Sequence, residues 1–214
     1  MSRTDLSTLR LEYMSEPLDE HSLEANPFTQ FGLWFKEAEK AGIEDVNAMT
    51  LSTVASDGSP HARVVLLKGF GPAGFEFFTN YLSAKGAEMA SEPRVVLSFF
   101  WQPLARQVRI NGRAVRLTEA ESDAYFSSRP RESQIGAWAS PQSKVVSGRD
   151  EIESSFNDMT ARFAQGSVPR PPHWGGYTIL PHAIEFWQGR MNRMHDRVLY
   201  RLMGTEWTRS RLAP

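Results

Sequence analysis

Apolar residues first follow a helical period. Phe28, Phe31, Trp34, Phe35, Ala38 and Ala41 recur every three to four residues, the spacing of an amphipathic helix. Asn26-Pro27 provides an N-cap and a proline at the first helical position, and Gly42 provides a stop. From Ala48 the texture turns to β. Residues 49–55 and 63–68 read as strands around a turn at 56–60, and residues 75–79 form a third strand after a Gly- and Pro-rich turn at 69–74. A short helix over 83–91 precedes strands at 94–101 and 106–117. In the last of these, Val108, Ile110, Val115 and Leu117 alternate with Gln107, Arg109, Asn111 and Arg116 on either side of Gly112. That is the period of a half-buried strand, with Gly112 read as a turn or bulge.

Thr118 and Glu121 have capping-box spacing, so a helix opens there and ends near Arg129-Pro130. Residues 132–147 have no clear period. Residues 150–165 read as a helix with Ile152, Phe156, Met159 and Phe163 on one side. An extended loop over 168–176 leads to three strands at 177–180, 183–188 and 197–203. Residues 1–25 are polar, with Leu6, Leu9 and Tyr13 as sparse anchors, and read as a mobile arm or short helix before one domain over 26–214. Runs of strands with inserted helices favour a mainly β (α+β) antiparallel barrel with peripheral helices over a doubly wound sheet.

Composition narrows the chemistry. With 214 residues, the chain suits one domain or one domain with a small appendage. Its 24 Lys and Arg against 25 Asp and Glu give a net charge of −1, which argues against a general nucleic-acid binder but leaves room for a local cationic pocket. There is no cysteine, hence no thiolate nucleophile or Cys-ligated metal. No apolar run approaches a membrane span and the N-terminus lacks a secretory pattern, so a cytoplasmic protein is expected. The five histidines form no HxH, HxxxH or HExxH motif, and no metal site is expected. Gly69-Phe-Gly-Pro-Ala-Gly74 matches GxGxxG, but a strand follows where a phosphate-binding turn needs a helix, so it reads as a hairpin turn.

Three groups of residues could carry chemistry. Arg63 and Lys68 bracket an apolar strand, either serving two anions or simply reaching solvent at its ends. Tyr125 and Arg129 are four apart, with Ser133 beyond Pro130. They make either a phosphate cradle or a solvated helix end. Arg193, His195 and Arg197 would share one face of a strand, with Trp187 nearby to pack on a planar ligand. A charged edge strand would explain that group equally well.

Taken in order, these segments closely resemble the pyridoxine/pyridoxamine 5′-phosphate oxidase family. The carriers are RVVLLK at 63–68, FFTN at 77–80, RQVRINGRA at 106–114, YFSSRPRESQIGAW at 125–138, PQS at 141–143, HWGGY at 173–177, and EFWQG with RMHDR over 185–197. The resemblance runs from Leu9-Arg-Leu-Glu-Tyr13 to Arg211-Leu-Ala-Pro214.

It implies an FMN-binding split barrel, a Greek-key-like antiparallel barrel, working as a homodimer with FMN at the subunit interface. It implies that Arg63, Val64, Val65, Leu66, Leu67 and Lys68 line the flavin, with Arg63 directed at its phosphate. Phe78, Thr79, Ser83 and Lys85 would continue that side, and Gln107, Gln142, Ser143, Trp187 and Arg197 would complete the site. Lys68, Tyr125, Arg129 and Ser133 would hold the substrate phosphate. Arg193 and His195 would be the catalytic pair against the pyridine ring, while Arg10 and Tyr13 would close over it from the arm.

The implied reaction takes pyridoxine or pyridoxamine 5′-phosphate to pyridoxal 5′-phosphate, the last step of vitamin B6 cofactor synthesis. A hydride passes from C4′ to flavin N5, and oxygen is then reduced to hydrogen peroxide. Ala84 stands where many relatives have a second cation, Met194 where Leu is commoner, and Phe78 where Tyr is frequent. Two other readings stay open: a related split-barrel oxidase acting on another aromatic compound, as in phenazine biosynthesis, and a non-catalytic flavin- or pyridoxal-phosphate-binding protein.

Overall fold

Asn26 caps the first helix, its side-chain oxygen accepting from the Phe28 N–H at 2.8 Å. The computed structural model describes Tyr13 and residues 17–214. Most of the expected arm, Arg10 included, lies outside the described residues. Helix α1 (Pro27–Lys40) is followed by β1 (Ala48–Val54), β2 (Pro60–Leu66), β3 (Gly69–Gly71), β4 (Gly74–Asn80), α2 (Ala84–Ser91), β5 (Arg94–Trp101) and β6 (Arg106–Arg116). Then come α3 (Glu119–Ser128), α4 (Arg131–Ala139), α5 (Arg149–Arg162), β7 (Trp174–Gln188), β8 (Asp196–Met203) and β9 (Glu206–Arg211). The strands hydrogen-bond in the order β2-β1-β5-β6-β7-β4-β3, with β8 joined to β7 and β9 to β8. The expected class, a sheet with helices inserted around it, is what forms.

The chain divides into two compact units, and β5, β6 and β7 each run from one into the other. The first unit comprises residues up to 46, 98–110 and 182–214. Its core is aromatic. Phe31 meets Phe99 at 5.1 Å between ring centres, Trp34 meets Phe186 edge-on at 5.2 Å, and Phe186 meets Tyr200 at 5.5 Å. Two polar tips find partners, as buried indole and phenol groups usually do. Trp101 Nε1 donates to the Val46 carbonyl at 3.0 Å and the Tyr200 hydroxyl to that of Glu24 at 2.7 Å.

The second unit comprises residues 47–97 and 111–181. In it β1 pairs antiparallel with β2, and β4 pairs antiparallel with β3 and with β7. Phe126, Ile135, Phe163, Val168 and Trp174 form a buried cluster under α3, α4 and α5. The Thr118 and Glu121 capping box is complete, each side chain bonding the other's backbone.

Several boundaries depart from the sequence reading. Strand β2 begins at Pro60 and stops at Leu66, so Lys68 lies beyond it. Proline is tolerated there because the first residue of a strand can forgo its N–H. Gly112 makes no turn: β6 runs straight through it. A Cβ on Gly112 would lie 2.6 Å from the Leu180 carbonyl oxygen, so glycine permits a close approach there.

Residues 131–139 form α4, with Ile135 and Ala139 on its buried side. The two strands expected over 177–188 are one, β7, continuous through Pro181, and β9 follows a turn at Gly204 (φ +65°). Arg193 belongs to a single 3-10 turn (Met191–Arg193), and both it and Asn192 have positive φ. Arg193, His195 and Arg197 therefore do not share a strand face. The GxGxxG segment is the β3–β4 hairpin, as its flanking pattern implied.

Candidate active site

In the second unit a cavity of about 340 Å³ is lined by Phe78, Thr79, Arg129, Ser133, Gln142 and Trp174, among others. The α3–α4 corner builds its cationic wall. Helix α3 ends at Ser128, Arg129 is its C-cap, and Pro130 is the N-cap of α4, which has Ser133 in its first turn. Arg129 lies over Trp174, with Cζ 4.5 Å from the ring centre, and 5.6 Å from that of Phe126.

Arg129 Nη1 is buried with no hydrogen-bond partner among the described residues. Burial pushes its pKa down, partly opposed by Tyr125, yet an arginine keeps its charge in proteins. A buried guanidinium with an unused donor is costly unless an anion answers it. Tyr125 stacks on Phe78 at 3.8 Å between ring centres and lies parallel to Trp174 at 6.2 Å. Lys68, also predicted for this group, is exposed and does not line the cavity; its backbone N–H donates to Glu76 O at 2.8 Å.

A second group forms at the start of α2. Ser83 is its N-cap, accepting from Gly86 N at 3.3 Å and donating to Asn80 O at 2.7 Å. Gln142 Oε1 accepts from Lys85 Nζ at 2.7 Å and from Thr79 Oγ1 at 3.3 Å. Burial, then the charge of Arg63, lowers the Lys85 pKa. Ser143, beside Gln142, is exposed with a φ of +70°.

Arg63, on β2, donates from Nη1 to Leu51 O at 3.3 Å and to Thr53 Oγ1, and from Nη2 to Glu88 Oε2 at 3.1 Å. Around it Val64 and Leu66 are exposed, Val65 is half-buried and Leu67 is buried. Glu88 is buried, and its Oε1 contacts His61 Nδ1 at 2.6 Å. Burial would raise the Glu88 carboxyl, but bonds from Thr53 and His61 and the charge of Arg63 hold it below its ordinary value.

The remaining predicted residues belong to the first unit. Trp187 and His195 are 4.7 Å apart between ring centres, and Tyr13 meets both edge-on at 5.9 and 6.1 Å. The Arg190 backbone N–H donates to His195 Nδ1 at 3.1 Å, which puts the proton of the neutral ring on Nε2. Burial, and then Arg193, lower the His195 pKa.

Trp187 pairs with Arg197 across β7 and β8. Arg197 Nε donates to Glu185 Oε1 at 2.8 Å and its Nη1 to Ala213 O at 2.9 Å. Arg109 Nη2 donates to Glu185 Oε2 at 2.6 Å. Arg193 is exposed, and Gln107 is half-buried on β6.

Sequence reasoning missed the Trp174 platform under Arg129, the Thr53–His61–Glu88 set around Arg63, and Glu185 between two arginines. The HWGGY motif held Trp174 without revealing its role. Nothing local marked either glutamate, because a carboxylate's burial depends on strands distant in sequence.

Comparison with known proteins places the chain in a family. A family model described as pyridoxamine 5′-phosphate oxidase matches residues 35–163. A second, described as the pyridoxine 5′-phosphate oxidase C-terminal dimerisation region, matches residues 174–214. A pyridoxine/pyridoxamine 5′-phosphate oxidase of Acaryochloris marina is 49% identical over 100% of this chain and 97% of its own. One of Rubrobacter xylanophilus is 52% identical over 100% of this chain and 98% of its own.

Among solved structures, PhzG from Burkholderia lata, in complex with tetrahydrophenazine-1-carboxylic acid, has a TM-score of 0.87 at 28% identity. That match covers 94% of this chain and 99% of PhzG. A pyridoxamine 5′-phosphate oxidase-related, FMN-binding protein from Nostoc punctiforme shares the fold, with a TM-score of 0.70 at 15% identity over 90% of this chain and 100% of its own. The fold is the split barrel of these proteins, and the chain belongs to the pyridoxamine 5′-phosphate oxidase family.

Proposed function

We propose that this protein is an FMN-dependent oxidase that converts pyridoxine 5′-phosphate and pyridoxamine 5′-phosphate to pyridoxal 5′-phosphate, working as a homodimer. The observation that carries the reading is Arg129. Its Nη1 is buried and unpartnered, and the residue lines a cavity shared with Ser133 and floored by aromatic rings. A small, flat, phosphate-bearing compound supplies both the anion and the ring that such a cavity suits.

The residues at α2 fit FMN. Lys85, Ser83, Thr79 and Gln142 form a connected set of donors and acceptors, and Arg63 keeps its Nε–H free among the described residues. Arg63 and Lys85 would take the cofactor phosphate, with the backbone of 64–68, Phe78 and Ser143 beside the flavin. Gln107, Trp187 and Arg197 would complete the site, partly from a second copy of the chain. Bound FMN would accept a hydride from substrate C4′ and pass the electrons to oxygen, giving hydrogen peroxide.

The protein's part is position and charge. Arg129 and Ser133 hold the substrate phosphate from the cavity wall, with Tyr125 stacked on Phe78 beside them and Lys68 reaching in from outside the lining. Arg193 and His195 act against the pyridine ring, His195 neutral near pH 7 and offering its Nε2–H. Tyr13, packed on Trp187 and His195, is the described part of the cover to which Arg10 would also belong.

A second reading draws on PhzG, a structural relative with a phenazine compound bound: an oxidase for another aromatic ring. A peroxide-linked assay of the FMN-supplemented protein separates the two. Product from pyridoxine 5′-phosphate, and none from pyridoxine, supports the phosphate cradle. Absence of turnover with flavin bound favours the other ring, and failure of substrate to reduce the flavin without oxygen favours a non-catalytic binder.

A further inference from the structure

Glu88 has no role in the proposed reaction, yet it is buried against a residue that does. Its Oε2 accepts from Arg63 Nη2 at 3.1 Å and from Thr53 Oγ1 at 2.5 Å. Thr53 Oγ1 in turn accepts from Arg63 Nη1, which also donates to Leu51 O at 3.3 Å. The two anchoring oxygens are bonded to each other, so they sit together at the Nη1–Nη2 end of the guanidinium. The edge left over carries Nε–H and the second Nη2–H. That is a two-pronged fork matched to two oxygens of one phosphate.

We infer that Glu88 and Thr53 are positioning residues that turn the Nε–Nη2 edge of Arg63 toward the cofactor phosphate and so set the phosphate-dependent part of flavin affinity. The inference rests on the reading that Arg63 meets that phosphate. A carboxylate near a phosphate would ordinarily repel it. Here its charge is answered by Arg63 on one oxygen and its other oxygen is occupied by His61. Fixing a long, flexible side chain before the ligand arrives spares the entropy of ordering it afterwards. Ala84 gives the neighbouring position no cation, so the aim of Arg63 counts for more in this chain.

The test is titration of the full-length, flavin-free protein with FMN and with riboflavin, which lacks the phosphate, followed by flavin fluorescence. Glu88→Ala and Thr53→Val are each expected to weaken FMN binding about tenfold, the scale of one charge-assisted hydrogen bond, and to leave riboflavin binding unchanged. Thr53→Ser, which restores the hydroxyl, is expected to restore FMN binding. If Glu88→Ala does not fold, Thr53→Val reads the same anchor with side-chain size kept. FMN binding as tight as or tighter than in the wild type, or equal losses for both flavins, would overturn the inference. Arg63→Ala separates the premise: if it loses no phosphate-dependent affinity, Arg63 is not the phosphate residue and the inference falls with that reading. None of these readouts depends on which substrate is oxidised.

Discussion

The Arg129 guanidinium lies 4.5 Å from the centre of the Trp174 ring, with Nη1 buried and unpartnered. A cation–π contact offsets part of the desolvation but leaves that donor unsatisfied. Substituting Arg129 with Met, which keeps the stem, is expected to raise the melting temperature of the ligand-free protein. It should also raise the KM for pyridoxine 5′-phosphate about a hundredfold, the scale for losing one side of a buried charge pair. Steady-state kinetics and melts with and without pyridoxal 5′-phosphate check both, and an unchanged KM would remove Arg129 from the cradle.

Arg193→Ala is expected to lower turnover by about two orders of magnitude or more while FMN stays bound. Arg193 is exposed in a turn and makes no ion pair among the described residues, so the fold should tolerate the change. Its charge is then missed against the substrate ring and beside His195, whose pKa it lowers. Stopped-flow flavin reduction without oxygen isolates this step, and near-normal reduction would exclude Arg193 from the chemistry.

The His195 pKa is lowered in the folded protein, by burial and by Arg193. The sign follows directly. As pH falls through the ordinary histidine value, the unfolded chain binds the proton first, so folded stability declines until the folded-state pKa is reached. Above the ordinary value, this contribution is fully present. Melts across about pH 5 to 8 should show a decline on the acid side that is reduced in His195→Gln. An identical slope in both proteins would assign the acid sensitivity elsewhere.

Glu185 is buried between Arg197 and Arg109. Removing it leaves two guanidinium groups facing each other without their shared acceptor. Both arginines retain solvent access, so the cost falls below that of a fully buried pair. Glu185→Ala is expected to lose about 2 kcal/mol of stability and to weaken flavin binding through Arg197. Urea unfolding measures the first effect, and a loss below about 0.5 kcal/mol would mean that solvent already balances these charges.

Gly112→Ala tests whether packing requires this glycine. Gly112 has no positive φ, so its backbone alone would accept alanine. A mid-strand site 2.6 Å from the Leu180 carbonyl oxygen would not. An expected loss of about 1–3 kcal/mol for overpacking is measurable by the same unfolding experiment.

Much of this arrangement was legible along the chain because it depends on neighbouring residues. The Asn26 cap, the Thr118–Glu121 capping box, the aromatic stripe of α1 and the strand at 94–101 all follow from contacts within a few residues or from a simple period. The order of motifs identified the family, which implied Arg129 and Ser133 for the substrate phosphate and Lys85 and Gln142 for the flavin. The sequence did not show that α4 would form, since its short apolar face exists only against Phe126 and Trp174. Nor did it show that mostly polar β9 would pair with β8, or that Arg193 would leave the strand.

The candidate site divides in the same way. Residue types and spacing singled out the cations. Their partners are set by contacts between residues far apart in the chain: Trp174 under Arg129, Glu88 on Arg63, and Glu185 between Arg197 and Arg109. Local propensity acts over a few residues, whereas burial and charge pairing arise only once distant segments meet. The chain alone therefore singled out the candidate groups, and the tertiary structure decided what each is paired with.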